Sequence, residues 1–275
     1  MTINCKGNLV DLLNPKVMGI LNSTPDSFYD GGKFKSDLEF LNQAERMIAE
    51  GATFIDIGGY SSRPGADDVP LDEELRRIIP IIESIIEHFP EIYISVDTFR
   101  SQVAKTSIEA GAALINDISA GQLDNQMIAM VGELGVPYIM MHMRGNPKTM
   151  QSLTDYDDML KEIISYFGKR LALTKAAKIN DVIIDPGFGF AKTLEQNFEL
   201  LDKFDLLNII GQPVLAGLSR KSMIYKTLNT TSEEALNGTT ALHMIALSKG
   251  AKILRVHDVK EAQECVTLYQ QLKTY

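Results

Sequence analysis

The fold class of this chain follows most directly from the stretch at residues 53–59, TFIDIGG. The stretch is short, rich in β-branched residues and apolar at adjacent positions, which is typical of a strand that is covered on both faces. Similar runs recur at near-regular intervals, and a polar Gly/Pro loop and then a helical pattern follow each of them. We predict strands at 16–22, 53–58, 93–97, 114–118, 138–142, 181–185, 214–218 and 253–257.

Amphipathic helices are predicted between these strands. The clearest lies between Leu71 and Phe89, where leucine and isoleucine recur at helical spacing on one face. Pro80 lies inside this pattern and predicts a kink or a break, because proline lacks the N–H of the helical hydrogen bond. The other helices are predicted at about 38–50, 101–110, 125–135, 155–177, 194–203, 233–248 and 260–272.

Eight strands, each followed by a helix, predict a (β/α)8 barrel, the TIM-barrel fold. A doubly wound open sheet is the alternative, although it usually contains fewer units. No linker or shift in composition divides the chain, so we expect a single domain over residues 1–275. Near the N-terminus, a Lys6-Gly7-Asn8 turn between apolar residues predicts a β-hairpin that closes the bottom of the barrel.

The composition limits the classes of protein that this chain can belong to. It has 275 residues, and 27 basic against 36 acidic side chains give a net charge of −9. With 45% hydrophobic residues it can bury a large core, which excludes a disordered chain. The acidic balance disfavours general binding to nucleic acid or to an anionic membrane. No signal peptide and no apolar run of roughly 18 residues is visible, so we expect a cytoplasmic globular protein.

The barrel prediction indicates where to look for a site, because active sites in this fold lie at the carboxyl-terminal ends of the strands. Polar side chains stand at those ends in most of the predicted units. One Asp or Asn after a strand often caps the next helix, but so many together indicate a functional rim. The candidates are Asn22, Asp97, Asn116, Asp185, Ser219, Arg220, Lys221, Arg255 and His257, with Ser62, Arg63 and Pro64 in the loop after the second barrel strand. His142 ends another strand, and we expect it inside the barrel.

These candidates divide into two chemical sets. Arg63, Arg220, Lys221, Arg255 and His257 place positive charge at one rim of an acidic protein, which suits a phosphate or diphosphate ligand. The second set combines carboxylates, which only accept hydrogen bonds, with an amide that both donates and accepts; its members are Asp97, Asn116 and Asp185. It suits a flat heterocycle with adjacent N–H donors, such as a 2-amino-4-oxo pyrimidine ring.

A divalent-metal site is the other possible use of the two aspartates. They lie on different strands, and no third carboxylate is expected near them. Asn22 could supply one neutral oxygen to a Mg²⁺ ion that is otherwise held by diphosphate and water.

Six motifs, in order along nearly the whole chain, resemble those of the dihydropteroate synthase family. They are MGILNSTPDSF at 18–28, GG at 58–59 followed by SSRPG at 61–65, MHM at 141–143 with GNPKTM at 145–150, DPGFGF at 185–190, SRKS at 219–222 and RVHD at 255–258. One departure is Ser62, where the family usually has threonine. The hydroxyl is retained and a methyl group is lost.

The resemblance implies a pterin-binding barrel that joins (7,8-dihydropterin-6-yl)methyl diphosphate to 4-aminobenzoate with Mg²⁺, and it favours a homodimer. Asp97, Asn116, Asp185 and Lys221 would hold the pterin. Asn22, Ser62, Arg63, Arg255 and His257 would hold the diphosphate, with Asn22 on the metal. Phe28, Arg63, Pro64, Phe190, Ser219, Lys221 and Ser222 would line the aminobenzoate pocket. Asp97, Lys221, Arg255 and His257 would be the catalytic set.

Three alternatives to synthase activity have different consequences. Lys221 at a strand end could form a Schiff base in an aldolase-like barrel, which borohydride would trap. A pterin methyltransferase shares the pterin-binding barrel but lacks the SRKS motif. A pterin-binding homologue without turnover would keep the same residues.

Overall fold

The computed structural model describes residues 1–22, 33–60 and 69–273, without the side chains of Asn22, residues 33–37 and Gln151. The strands are β1 Thr2–Cys5, β2 Asn8–Asp11, β3 Lys16–Asn22, β4 Phe54–Gly58, β5 Tyr93–Asp97, β6 Leu114–Asp117, β7 Tyr138–Met141, β8 Val182–Asp185, β9 Leu215–Ala216 and β10 Ile253–Val256. Eight of them form a parallel sheet in the order β8-β7-β6-β5-β4-β3-β10-β9. A bridge between Ile184 and Val214 joins the two edges of this sheet, so that it curls into a barrel. The (β/α)8 prediction is therefore confirmed.

Helices connect the strands on the outside of the barrel. They are α1 Lys33–Ala49, α2 Leu71–His88, α3 Ser101–Glu109, α4 Met127–Leu134, α5 Met159–Ala176, α6 Leu194–Asp202, α7 Ser222–Thr227, α8 Leu236–Ser248 and α9 Val259–Lys273. The short helix α7 is not among the helices predicted from periodicity. Helix α2 continues through Pro80 without a break. Pro80 and Arg76 lie on the exposed side of α2, where water can bond the carbonyl that proline leaves unpaired.

The N-terminal hairpin has the predicted place. Strands β1 and β2 pair antiparallel, and the turn residues Lys6 and Gly7 both have positive φ, 53° and 85°, as a type I′ turn requires. The inward side chains of the hairpin pack on the lowest layer inside the barrel. This cluster comprises Ile3, Cys5, Val10 and Leu12 of the N-terminal segment, and Met18, Phe54, Ala113, Leu114, Ile139, Ile183, Leu215 and Ile253 of the barrel. The hairpin thus closes the bottom of the barrel.

Strand alternation then determines what the upper interior contains. Phe54, Leu114, Ile183 and Ile253 point inward in the lowest layer. The residues two positions later on the same strands point the same way, and they are Asp56, Asn116, Asp185 and Arg255. An apolar layer therefore closes the barrel below a polar layer that opens at the carboxyl-terminal rim. In the described ranges no helix is long and apolar enough to cross a membrane.

Candidate active site

Arg255 is the centre of the polar layer. Its Nε donates to Asp56 Oδ2 at 2.6 Å, and its Nη2 donates to Asp97 Oδ2 at 2.8 Å. Asp56 Oδ2 also accepts the Asn116 amide at 3.0 Å. Four strands, β10, β4, β5 and β6, thus supply one connected polar group. Asp97 and Asn116 stand side by side in the register of β5 and β6.

Two carboxylate oxygens of this group are buried without a partner among the described residues. They are Asp56 Oδ1 and Asp97 Oδ1. Burial raises the pKa of Asp97 from 3.8 to about 7, although Arg255 opposes the rise, and the nearby Asp56 adds to it. The pKa of Arg255 itself is raised, because the charges of Asp56 and Asp97 outweigh its burial. Unpaired buried acceptors are rare in folded proteins, so these two oxygens are candidates to accept N–H groups of a ligand.

Asp185 and Lys221 form the other half of the site. Burial raises the pKa of Asp185, against the opposing charge of Lys221, and Asp185 Oδ1 accepts the Gly187 N–H at 2.8 Å. Lys221 Nζ donates to the Phe188 carbonyl and lies 4.8 Å from the centre of the Phe190 ring. Burial lowers the pKa of Lys221 to about 8, although Asp185 holds it up. This half presents a cation, a carboxylate and an aromatic face together.

Ser219 and His257 lie close to each other beside this half of the site. Ser219 Oγ accepts the backbone N–H of His257 at 3.1 Å, and it also lies 3.0 Å from the ring nitrogen Nδ1 of His257. Ser222 begins α7 directly after Lys221. The SRKS and RVHD motifs are therefore brought together by the adjacent strands β9 and β10.

Comparison with known proteins agrees with this geometry. The profile of the family described as "Pterin binding enzyme" matches residues 18–257. The dihydropteroate synthase of Escherichia coli strain K12 is 44% identical over 272 residues, which cover 98% of this chain and 96% of that protein. The chain belongs to the dihydropteroate synthase family. A Synechocystis dihydropteroate synthase is 47% identical over 253 residues, 90% of this chain and 87% of that one.

Solved dihydropteroate synthases also share the fold. A Yersinia pestis dihydropteroate synthase in complex with a sulfonamide drug has a TM-score of 0.94 at 42% identity, covering 100% of both chains. A Xanthomonas albilineans enzyme with 4-aminobenzoic acid has a TM-score of 0.92 at 39% identity, covering 100% of this chain and 98% of the other. The chain is thus a transferase of the pterin-binding barrel type. This excludes the aldolase and methyltransferase alternatives.

Arg220 does not join the cations of the synthase site, contrary to the prediction from the sequence. Its guanidinium donates twice to Asp258, at 2.8 Å each, and once to the Ser232 carbonyl at 2.8 Å. These bonds direct it away from Asp185 and toward the segment before α8. Arg220 therefore stabilises the loop of the SRKS motif, and Lys221 alone of the two enters the site.

Sequence reasoning missed Asp56 and Lys192, and it misplaced His142. The expectation that no third carboxylate lies near Asp97 is wrong, since Asp56 shares Arg255 with it. A single aspartate inside the apolar strand FIDIG was the available signal. His142 is buried, but it lies outside the barrel, where its ring packs edge-on against the ring of Tyr166 of α5 with 4.9 Å between the ring centres.

Several predicted site residues, or their side chains, lie outside the described part of the structure. These are Phe28, Ser62, Arg63 and Pro64, and the side chain of Asn22. The backbone of Asn22 ends β3 opposite Gly58 of β4, which is on the rim. The roles assigned to these side chains stay predictions.

Proposed function

We propose that this rim joins (7,8-dihydropterin-6-yl)methyl diphosphate to 4-aminobenzoate, giving 7,8-dihydropteroate and diphosphate. The observation that carries the proposal is the pair of unpartnered carboxylate oxygens on Asp56 and Asp97, held beside the Arg255 guanidinium. Asp185 and Lys221 complete the polar interior of the same rim. The arrangement offers acceptors for a pterin ring next to cations for a diphosphate.

The pterin ring would lie among Asp97, Asn116, Asp185 and Lys221. Its 2-amino and ring N–H groups would donate to the carboxylates, and Lys221 or the Asn116 amide would donate to the ring oxygen or nitrogen. A ring that lacked one of these donors would leave a buried acceptor unpaired, at a cost of about 1–3 kcal/mol. The residues that bind the pterin would therefore also select it.

The diphosphate would lie against the cations of the rim. Arg255 keeps its charge at any working pH, and His257, Arg63 and Ser62 would add donors. These groups favour loss of diphosphate, because negative charge builds up on the leaving oxygen as the C–O bond breaks. Asp97 would stabilise the positive charge that then spreads into the pterin.

Magnesium would come with the diphosphate. Among the described residues no cluster of three or more His, Cys, Asp or Glu side chains could hold a metal ion. Mg²⁺ keeps waters and phosphate oxygens as ligands and needs few from the protein. Asn22 would hold the ion, which would neutralise charge on the leaving group.

The second substrate, 4-aminobenzoate, would attack the pterin methylene carbon. Phe190, Ser219, Lys221 and Ser222 would line its pocket together with Phe28, Arg63 and Pro64. The amine loses a proton as the C–N bond forms, and diphosphate leaves with the electron pair of the broken C–O bond. No covalent intermediate with the protein is required. Both cysteines are buried, Cys5 at the bottom of the barrel and Cys265 on α9.

We also propose that the protein is a cytoplasmic homodimer. Leu268 and Leu272 of α9 are 62% and 69% exposed, and α8 and α9 pack side by side. Exposed leucines one helical turn apart are typical of a surface that associates. Sedimentation velocity distinguishes the dimer from a monomer.

A product assay tests the proposed activity directly. The purified protein is given the pterin diphosphate, 4-aminobenzoate and Mg²⁺, and each component is omitted in turn. We expect dihydropteroate and diphosphate only when all three are present. Tight pterin binding without product would indicate a binding homologue without turnover. Absence of pterin binding would refute the proposal.

Pterin binding is expected to strengthen as the pH rises through about 7. Because burial raises the pKa of Asp97 to about 7, its carboxyl is largely protonated below that pH, and in this form it accepts N–H donors much more weakly than the carboxylate does. The affinity should increase about tenfold per pH unit up to the pKa and then level off. Calorimetric titration with the pterin diphosphate measures this. Asp97→Asn should bind more weakly and without the pH dependence, and a flat profile for the unmodified protein would contradict the assignment.

A further inference from the structure

The four-residue turn after β8 positions two groups of the site. In this turn, residues 187–190, the Phe190 N–H donates to the Gly187 carbonyl at 3.1 Å, and Gly187 and Gly189 have φ of 72° and 80°. The Phe188 carbonyl accepts Lys221 Nζ, and the Phe190 ring faces the same ammonium. The positions of the Lys221 ammonium and of the Phe190 ring therefore depend on this turn.

Lys192 holds both ends of the turn. Its side chain is buried, and its Nζ lies 2.9 Å from the Gly187 carbonyl, 3.1 Å from the Phe190 carbonyl and 3.2 Å from His142 Nδ1. An ammonium has three N–H donors, and here each has one acceptor. A buried lysine is costly unless it is satisfied in this way, so the turn and the lysine stabilise each other.

His142 completes the contact as a neutral acceptor. Burial lowers its pKa well below 6.5, and the charges of Lys192 and Arg144 act in the same direction. The backbone N–H of His142 donates to the Asp185 carbonyl at 2.8 Å. The backbone carbonyl of His142 lies so near Gly187 that a Cβ at position 187 would approach this oxygen to 2.2 Å. Strand β7 and the start of the turn are thus in direct contact around the Lys192 ammonium.

We propose that Lys192 is a positioning residue that holds the 187–190 turn, and through it Phe190 and Lys221, in the geometry that binds 4-aminobenzoate. This rests on the aminobenzoate role proposed above for Phe190 and Lys221. Lys192 touches neither substrate. The charged groups around its ammonium are Asp185, Lys221 and Arg144.

Lys192→Met tests the proposal, because methionine keeps the length of the side chain and removes its donors. Lys260→Met, an exposed lysine in the first turn of α9, is the matched control. In Lys192→Met we expect the KM for 4-aminobenzoate to rise about tenfold, and that for the pterin diphosphate to rise less, because Lys221 contacts both substrates and Phe190 only the aminobenzoate. Amide exchange should accelerate about tenfold or more in peptides covering 187–190 and stay unchanged in β5.

Each outcome decides for or against Lys192. A variant with a lower melting temperature, but with both KM values and the exchange of the turn unchanged relative to the control, shows a structural role only and overturns the proposal. If Lys192→Met does not fold, exchange in the unmodified protein decides. Slow exchange of the Phe190 N–H, which closes the turn on Gly187, is required, and exchange as fast as in an open loop overturns the proposal. The exchange readout is independent of turnover, so a failure of the synthase assay would refute the proposed function and leave this test intact.

Discussion

Replacing Arg255 by methionine is expected to lower kcat/KM by about a thousandfold and to destabilise the fold by ~3–5 kcal/mol. Arg255 is the counter-charge for two carboxylates, Asp56 and Asp97, which are almost fully buried. Without it, both carboxylates lose their ion pair in the barrel interior, and the diphosphate loses a permanent cation. Steady-state kinetics and urea unfolding measure the two effects separately.

The pH dependence of the unfolding free energy gives a sharper test. Arg255 lowers the pKa of Asp97, so its loss raises that pKa further. The folded variant then keeps this proton to higher pH than the unmodified protein does. Its stability should therefore go on falling above about pH 7, where the contribution of Asp97 in the unmodified protein levels off. Adding Asp97→Asn should recover much of the stability and none of the activity, because one unpaired charge is removed while the site stays incomplete.

Arg76→Met is the matched control for Arg255→Met. Arg76 lies on the exposed side of α2 and pairs with Glu73 outside the barrel. Its replacement is expected to change stability by less than about 1 kcal/mol and to leave kcat/KM unchanged. Equal effects of the two substitutions would show that the Arg255 cluster has no special role.

Replacing Lys221 by methionine is expected to lower kcat/KM by about a hundredfold or more. The half-buried Lys221 ammonium contacts the Phe188 carbonyl and the Phe190 ring, and Asp185 is the carboxylate that acts on it. Its loss removes a donor to the pterin and leaves Asp185 without its main counter-charge, so the pKa of Asp185 rises further. Lys203→Met, at an exposed lysine just after α6, is the control and should be neutral.

The pH profile distinguishes the charge of Lys221 from its shape. The pKa of Lys221 is lowered to about 8, so kcat/KM should decrease about tenfold per pH unit above that value as the ammonium loses its proton. Lys221→Arg keeps the charge at every pH and should lose this limb, whatever its absolute rate. If kcat/KM of Lys221→Arg still decreases above about pH 8, the decrease is due to the titration of another group.

The barrel could be read from the sequence because its determinants are local and repeated. Runs such as FIDIG are apolar on both faces and short, and amphipathic helices follow them, so only a helix-covered parallel sheet buries both. The hairpin at the bottom was predictable for the same reason, since Lys6 and Gly7 favour the turn by themselves. The break considered at Pro80 did not occur, because the solvent-exposed side of α2 tolerates the lost hydrogen bond.

Site residues at strand ends could also be predicted, since a parallel barrel brings all those ends to one rim. Asp97, Asn116, Asp185, Lys221 and Arg255 meet there as expected. Arg220 was assigned to the wrong environment because residue type does not reveal that Asp258 lies within reach of its guanidinium.

The sequence by itself determined the fold class, the rim and the motifs of the dihydropteroate synthase family, because strand periodicity and motif order are properties of the chain alone. Only the tertiary structure decided which charges pair. Asp56 lies 199 residues from Arg255, and Lys192 lies 50 residues from His142, and each becomes a partner only when the barrel brings its strands together. Burial then changes the chemistry of these groups, since the pKa of Asp97, Lys192 and Lys221 depends on the absence of water around them.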